Sequence, residues 1–196
     1  SNINVSFKGA TLLYAATIGG KIEIVKTLLK LNANPNISTN EGTTSLIMAC
    51  QNGNLEIVEE LLRHNADVNK TGQKNMGPLF EAAYDGHYKI VELLLKNNAT
   101  IDLKENGEGK TPLFIACMNG HLETVRVLVA NGANVNESAY NGFTPLIIAA
   151  QNGYLEIANE LIENGAEIDI QAKSGITAIF MTANNDHIEV MKALID

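Results

Sequence analysis

The sequence predicts an all-α repeat solenoid, a stack of helix–turn–helix units with protruding turns, and three observations predict it. Leu13, Leu46, Leu79, Leu113, Leu146 and Ile179 hold one place in six successive units, at spacings of 33, 33, 34, 33 and 33 residues. Gly20, Gly53, Gly86, Gly120 and Gly153 recur seven residues after their Leu. Ala33, Ala66, Ala99, Ala133 and Ala166 recur twenty residues after it. A period of this length marks one supersecondary unit stacked on copies of itself, because a lone unit cannot bury its own apolar face. The chain therefore reads as one elongated domain, 1–196, with repeats at about 6–38, 39–71, 72–105, 106–138, 139–171 and 172–196.

Each element of the unit has its own signal, and the fifth repeat shows them in order. Thr144 precedes Pro145, which suits the first helical position with its fixed φ. Thr144 then caps the helix by accepting a bond from a free backbone N–H. Leu146, Ile148, Ala149 and Ala150 form the apolar part of this short helix. Gly153 ends it, since a left-handed residue costs glycine nothing. A second helix opens near Tyr154, with Leu155, Ile157, Ala158, Leu161 and Ile162 on one face, and Gly165 stops it. A polar loop and the Asn141-Gly142 type of turn link one unit to the next.

The second-helix face returns in every unit. It reads Ile24-Val25-Leu28-Leu29, then Ile57-Val58-Leu61-Leu62, Ile90-Val91-Leu94-Leu95, Thr124-Val125-Leu128-Val129, Ile157-Ala158-Leu161-Ile162 and Val190-Met191-Leu194-Ile195. Neither helix reaches the ~12–15 residues that an isolated helix needs in water, so neighbours must hold each one. The first helices are small-residued (Ala16, Ala49, Ala82, Ala116, Ala149) and the second ones bulky. That asymmetry predicts a curved stack with turns and first helices on the concave side.

The unit resembles the ankyrin repeat, whose pattern is roughly G-x-T-P-L-H-x-A-A-x-x-G-H-x-x-I-V-x-x-L-L-x-x-G-A-x-x-N. The resemblance runs from about Gly9 to Ile195. It implies a right-handed stack of helix pairs with β-turn fingers, and a role in protein–protein recognition. The motif's His is replaced throughout, by Tyr14, Ile47, Phe80, Phe114, Ile147 and Phe180, which trades a local hydrogen bond for apolar contact. One finger carries an extra residue, between Ala99 and Leu113. The end repeats depart further, with Leu12 and Ala178 for Pro, Thr182 for Ala and Asp186 for Gly. Asp tolerates the left-handed conformation that the last substitution requires.

Composition narrows the function. A net charge of −8 argues against nucleic acid and anionic membranes, whose affinity comes from Lys and Arg. Two readings of the charge stand: a soluble acidic protein, or a surface for a basic segment of a partner. No run of 18 apolar residues occurs, so no membrane span is expected. No signal-type segment is visible, and with Ser1 in place of Met a targeting segment upstream stays open. Cys50 and Cys117 stand two repeats apart, roughly 20 Å at ordinary helix spacings, beyond the ~7 Å a disulfide spans. They read as small core residues in a reducing compartment. The expected location is the cytoplasm, with the nucleus or the inside of a host cell as the other compartments known for such repeats.

Catalytic and cofactor motifs are absent: there is no P-loop, G-x-G-x-x-G, G-x-S-x-G or H-E-x-x-H. No catalytic, metal-binding or cofactor residue is assigned. His87, His121 and His187 share one repeat position and read as turn residues that hydrogen-bond locally. Five N-x-S/T sequons, at Asn4, Asn36, Asn69, Asn98 and Asn136, are expected by chance in an Asn-rich chain.

The remaining signal lies at the finger tips and on the outer face of the first helices. These positions are mostly polar, but Met76, Tyr84, Met118, Tyr140 and Phe143 are not. In a chain only 5% aromatic that concentration is informative. The candidate partner-binding set is Met76, Tyr84, Asp85, Glu108, Lys110, Met118, Tyr140, Asn141, Phe143 and Gln151, with Glu41 among the charges ringing it. The other reading is that each aromatic lies along its neighbour's finger and stiffens the stack. The leading function is a monomeric, non-catalytic scaffold for another protein or peptide. The alternative is a targeting or regulatory module whose enzyme or effector domain lies outside this chain.

Overall fold

The computed structural model describes residues 3–195. Among them the chain forms a short hairpin, β1 (Ser6–Phe7) and β2 (Ala10–Thr11), and then six pairs of helices. The pairs are α1 (Leu12–Ile18) with α2 (Ile22–Lys30), α3 (Ser45–Gln51) with α4 (Leu55–Arg63), and α5 (Pro78–Tyr84) with α6 (Tyr88–Lys96). They continue as α7 (Pro112–Asn119) with α8 (Leu122–Ala130), α9 (Pro145–Asn152) with α10 (Leu155–Glu163), and α11 (Ala178–Asn184) with α12 (Ile188–Ile195). Every α-helix has seven to nine residues, so packing rather than propensity holds it.

The capping logic is visible in the bonds. The hydroxyls of Thr11, Thr44, Thr111, Thr144 and Thr177 accept from the amides of Tyr14, Ile47, Phe114, Ile147 and Phe180 at 3.1–3.3 Å. The left-handed residue between the paired helices is a glycine except in the last repeat, where Asp186 takes φ 58° as the sequence predicts.

The chain divides into two compact units, one of residues 1–82 with 89–100 and one of 83–88 with 101–196. In the first, α1 packs on α2 and α3, and α2 on α4. In the second, α7 packs on α8 and α9, α9 on α10 and α11, and α10 on α8 and α12. The cores repeat the same register: Leu13, Leu46, Val25, Val58 and Leu61 in the first unit, and Leu113, Leu146, Val125, Leu128 and Leu161 in the second, are at most 1% exposed. Cys50 and Cys117 are fully buried and unpaired, and burial pushes both thiols well above their ordinary range. They fill core space where Ala83 and Ala150, also fully buried, stand in other repeats.

Candidate partner-binding surface

The fingers close by one backbone bond each. Thr39 donates to Thr43 O at 3.0 Å, Gly72 to Met76 O at 2.9 Å, Ala139 to Phe143 O at 2.9 Å and Ala172 to Ile176 O at 2.8 Å. In the fourth repeat the closing bond runs from Glu105 to Lys110 O at 3.1 Å, one residue wider. The extra residue of the 34-residue step therefore sits in this finger. Glu105 fills the wider turn from inside. It is only 6% exposed, and its carboxylate accepts from the amides of Gly107, Glu108 and Lys110. Burial alone would raise its pKa, but these amides together with that of Gly109 hold it below the usual carboxylate value.

Neighbouring fingers are tied to one another. In the second unit Tyr140 N donates to Glu108 O at 2.7 Å and Lys173 N to Asn141 O at 3.0 Å. The Tyr140 ring lies on Gly109, at φ 74°, where a Cβ would overlap it, and Lys104 Nζ stands 5.9 Å from the ring centroid. Tyr140 nonetheless stays 51% exposed. It thus meets both expectations: it lies along its neighbour's finger, and it offers half its area to solvent.

The other candidate residues divide by burial. Tyr84 is 47% exposed, and Asp85, Glu108 and Asn141 are exposed. Met76, Lys110, Met118, Phe143 and Gln151 are half-buried rather than free on the surface. Several have prior engagements. Glu108 and Lys110 form an ion pair at 3.0 Å. The Asn141 side chain accepts from Phe143 N at 3.0 Å, bracing its own turn. Nine of the ten lie in the second unit; Met76 lies in the first.

His121 and His187 do not bond locally, as their place after a turn suggests. His121 Nε2 donates to the carbonyl of Tyr84 at 2.9 Å, and His187 Nε2 to that of Gln151 at 3.0 Å, each reaching the preceding repeat. Their rings cover Gly86 and Gly153, where a Cβ would come within 2.6 and 2.5 Å of Nδ1. Asn119 Nδ2 adds a second bond to the Tyr84 carbonyl at 2.8 Å, and Asn152 Nδ2 bonds that of Met118 at 3.2 Å. This system was invisible in the sequence because its partners lie 34–37 residues apart.

A second ladder explains the sequons at Asn36, Asn69 and Asn136. Their Nδ2 groups donate to Asn65 O, Asn98 O and Gly165 O at 2.9, 3.0 and 3.1 Å. Their Oδ1 atoms accept from the amides of Asp67, Thr100 and Glu167 at 2.7, 2.8 and 2.9 Å. The side chains a glycan would need are the rungs between repeats.

Among the described residues, no group of three His, Cys, Asp or Glu is placed to hold a metal ion, and no helix is long and apolar enough to cross a membrane. Helix pairs in a 33-residue register, threonine caps, left-handed turns and finger-to-finger bonds together define the unit. A family model for ankyrin repeats, in three copies, matches residues 1–72 and 79–172. The chain belongs to the ankyrin repeat family. No curated protein matches it significantly. Ankyrin repeats are generally protein–protein interaction modules and are typically non-catalytic. The last ankyrin repeat lies beyond the matched segments, yet it keeps the Thr177 cap and the His187 bond to its neighbour.

Proposed function

We propose that this ankyrin domain is a monomeric, non-catalytic recognition module that binds a segment of another protein across its fingers and first helices. One observation carries the reading. Between Leu31 and Ile179, the exposed large apolar side chains among the described residues are all tyrosines: Tyr84, Tyr88 and Tyr140. Tyr84 ends a first helix and Tyr140 sits on a finger. Tyrosine couples apolar area to a polar hydroxyl at the cost of two side-chain torsions, which is why it anchors interfaces. Met118 and Phe143, in the same unit, widen the apolar set, with Gln151 and Asn141 as polar contacts. Asp85 and the Glu108–Lys110 pair frame it.

The net charge of −8 favours a basic partner segment over nucleic acid. Two buried, unpaired thiols fit a reducing compartment such as the cytoplasm.

The test is a pull-down from cell lysate with the wild-type chain beside a Tyr84→Ala/Tyr140→Ala/Phe143→Ala variant of confirmed fold. A protein held by the wild type and lost from the variant supports the module and its face. Retention by both moves the site elsewhere. A chain that holds nothing in lysates from several sources counts against a binding role.

A further inference from the structure

The first repeat differs from the other five in charge and in what it leaves uncovered. Residues 6–38 hold Lys8, Lys21, Lys26 and Lys30 against Glu23 alone, a net +3 in a chain of −8, which leaves −11 for the rest. Leu12, at the head of α1, is 53% exposed, and Ile24, in α2, is 52% exposed. Their equivalents one repeat on, Ser45 and Ile57, are 1% and 2% exposed. The same places stay buried further along, as Pro145 with Ile157 and as Ala178 with Val190.

In each of those repeats the cover is a pair of helices from the repeat before. Helices α1 and α2 pack on α3 and α4, α7 and α8 on α9 and α10, and α9 and α10 on α11 and α12. Leu12 and Ile24 therefore mark the face of the first repeat on which helices dock elsewhere in the fold. An outer face left to water is expected to be polar. This one is apolar, and Leu31, exposed and seven residues after Ile24, extends the stripe at helical spacing.

Charge decides which helix. Lys21 precedes α2 and Lys30 ends it, so the two bracket a helix of nine residues, about 14 Å long. Both are exposed, and among the described residues neither enters an ion pair, whereas Lys26 is held by Glu56 at 2.6 Å. Lys21 also holds the place of His121 and His187, whose rings bond the preceding repeat at the carbonyls of Tyr84 and Gln151. Those carbonyls lie at the C-terminal ends of first helices, where a cation is favoured.

An occupant must therefore bring an apolar stripe and carboxylates. An anionic lipid surface would also meet the −11 of the remaining repeats, and a second copy would set −8 against −8. A single helix brings only the charges that the lysines take up.

We propose that this face docks one acidic amphipathic helix of a partner protein, its apolar stripe on Leu12, Ile24 and Leu31 and its carboxylates at Lys21 and Lys30. The site belongs to the first unit, whereas the exposed tyrosines belong to the second.

The experiment follows the fluorescence anisotropy of a labelled peptide titrated with the whole chain. The peptide has about 18 residues, enough to turn helical on binding, with leucines at helical spacing and glutamates on both flanks. Its control carries lysine at every glutamate. The acidic peptide should bind saturably, less tightly as salt rises, and the control at least about tenfold more weakly. Leu12→Ser/Ile24→Ser and Lys21→Glu/Lys30→Glu should each weaken the acidic peptide several-fold with the helical circular dichroism unchanged, since all four side chains are exposed. The tyrosine variant should bind it as the wild type does. No saturable binding, equal binding of the control, or undiminished binding to both variants overturns the helix. A chain that sediments as an oligomer, broken up by Leu12→Ser/Ile24→Ser, overturns it in favour of a second copy. Pelleting with phosphatidylserine vesicles, lost in the same variant, overturns it in favour of a membrane. A peptide that fails while lysate capture still depends on the tyrosines sinks this face and leaves the recognition module standing.

Discussion

Asp102 holds the place in its repeat that Asn36, Asn69 and Asn136 hold in theirs, and replacing it by Asn should stabilise the protein. Each of the three asparagines makes two bonds, donating to a loop carbonyl and accepting from an amide. Asp102 can only accept. Its two oxygens each stand 3.3 Å from Asn134 N, longer than the 2.7–2.9 Å of the complete rungs. The carbonyl equivalent to Gly165 O in this repeat is that of Gly132, one 33-residue step earlier. An Nδ2 donor at 102 would supply the missing bond, worth about 1 kcal/mol net. For a chain of this size that is roughly 2–4 °C in Tm.

Electrostatics adds in the same direction. Burial raises the Asp102 pKa, the Asn134 amide opposes this, and Glu137 adds to the rise, leaving it above the ordinary aspartate value. An acid whose folded pKa lies above its unfolded one costs stability once ionised. The cost is absent below the unfolded pKa, grows as pH rises through the folded pKa, and persists above it. The advantage of Asp102→Asn should therefore be larger at pH 7 than near pH 3.5. Urea unfolding of both proteins at the two pH values measures it, read as a difference so that other carboxylates cancel. A variant no more stable than wild type at pH 7 refutes the rung argument. A gain that is the same at both pH values refutes the electrostatic part.

Two further substitutions probe the scaffold. Glu105→Gln should lower stability by about 2–3 kcal/mol, because an amide offers one acceptor oxygen where a buried carboxylate served several N–H groups. The lowered Glu105 pKa means this advantage of the wild type is complete above the unfolded value of about 4.3 and is lost as pH falls through the folded pKa; urea titrations at pH 7 and pH 3 show whether the gap closes. The hydroxyl of Thr124 is, among the described residues, the buried side-chain polar atom without a hydrogen-bond partner, at a position filled by Ile57, Ile90 and Ile157 in other repeats. Thr124→Val keeps its shape and should add about 1 kcal/mol of stability by calorimetry; a loss would mean the hydroxyl has a partner.

The elements of this fold were legible because they answer local questions. A Thr before Pro, a Gly seven residues after a Leu and an apolar face at helical spacing each act within one turn of chain, and the observed caps and left-handed residues sit where those signals place them. The candidate surface was legible only by position. Sequence placed Met76, Met118 and Phe143 at outer sites, but how far a side chain leans into its surroundings depends on the pitch between repeats, and all three are half-buried. The histidine and asparagine ladders were illegible for the same reason: their partners sit 29–37 residues away and meet them only once the repeats are stacked. Glu105 carries no signal of its own, since nothing in the sequence shows that its carboxylate is enclosed by the longer turn.

These ladders bear directly on recognition. The Tyr84 carbonyl is held by two side chains of the next repeat while its ring stays 47% exposed. The Tyr140 amide is held by Glu108 while its ring keeps half its surface open. In both cases the repeat fixes the backbone and leaves the side chain exposed. A tyrosine on a pinned backbone has two torsions left to lose, whereas one on a loose loop must also order its main chain, at about 1–2 kcal/mol per residue. Stacking neighbours therefore hold the proposed anchors as well as the fold, and on the reading proposed above a partner would meet them already in place.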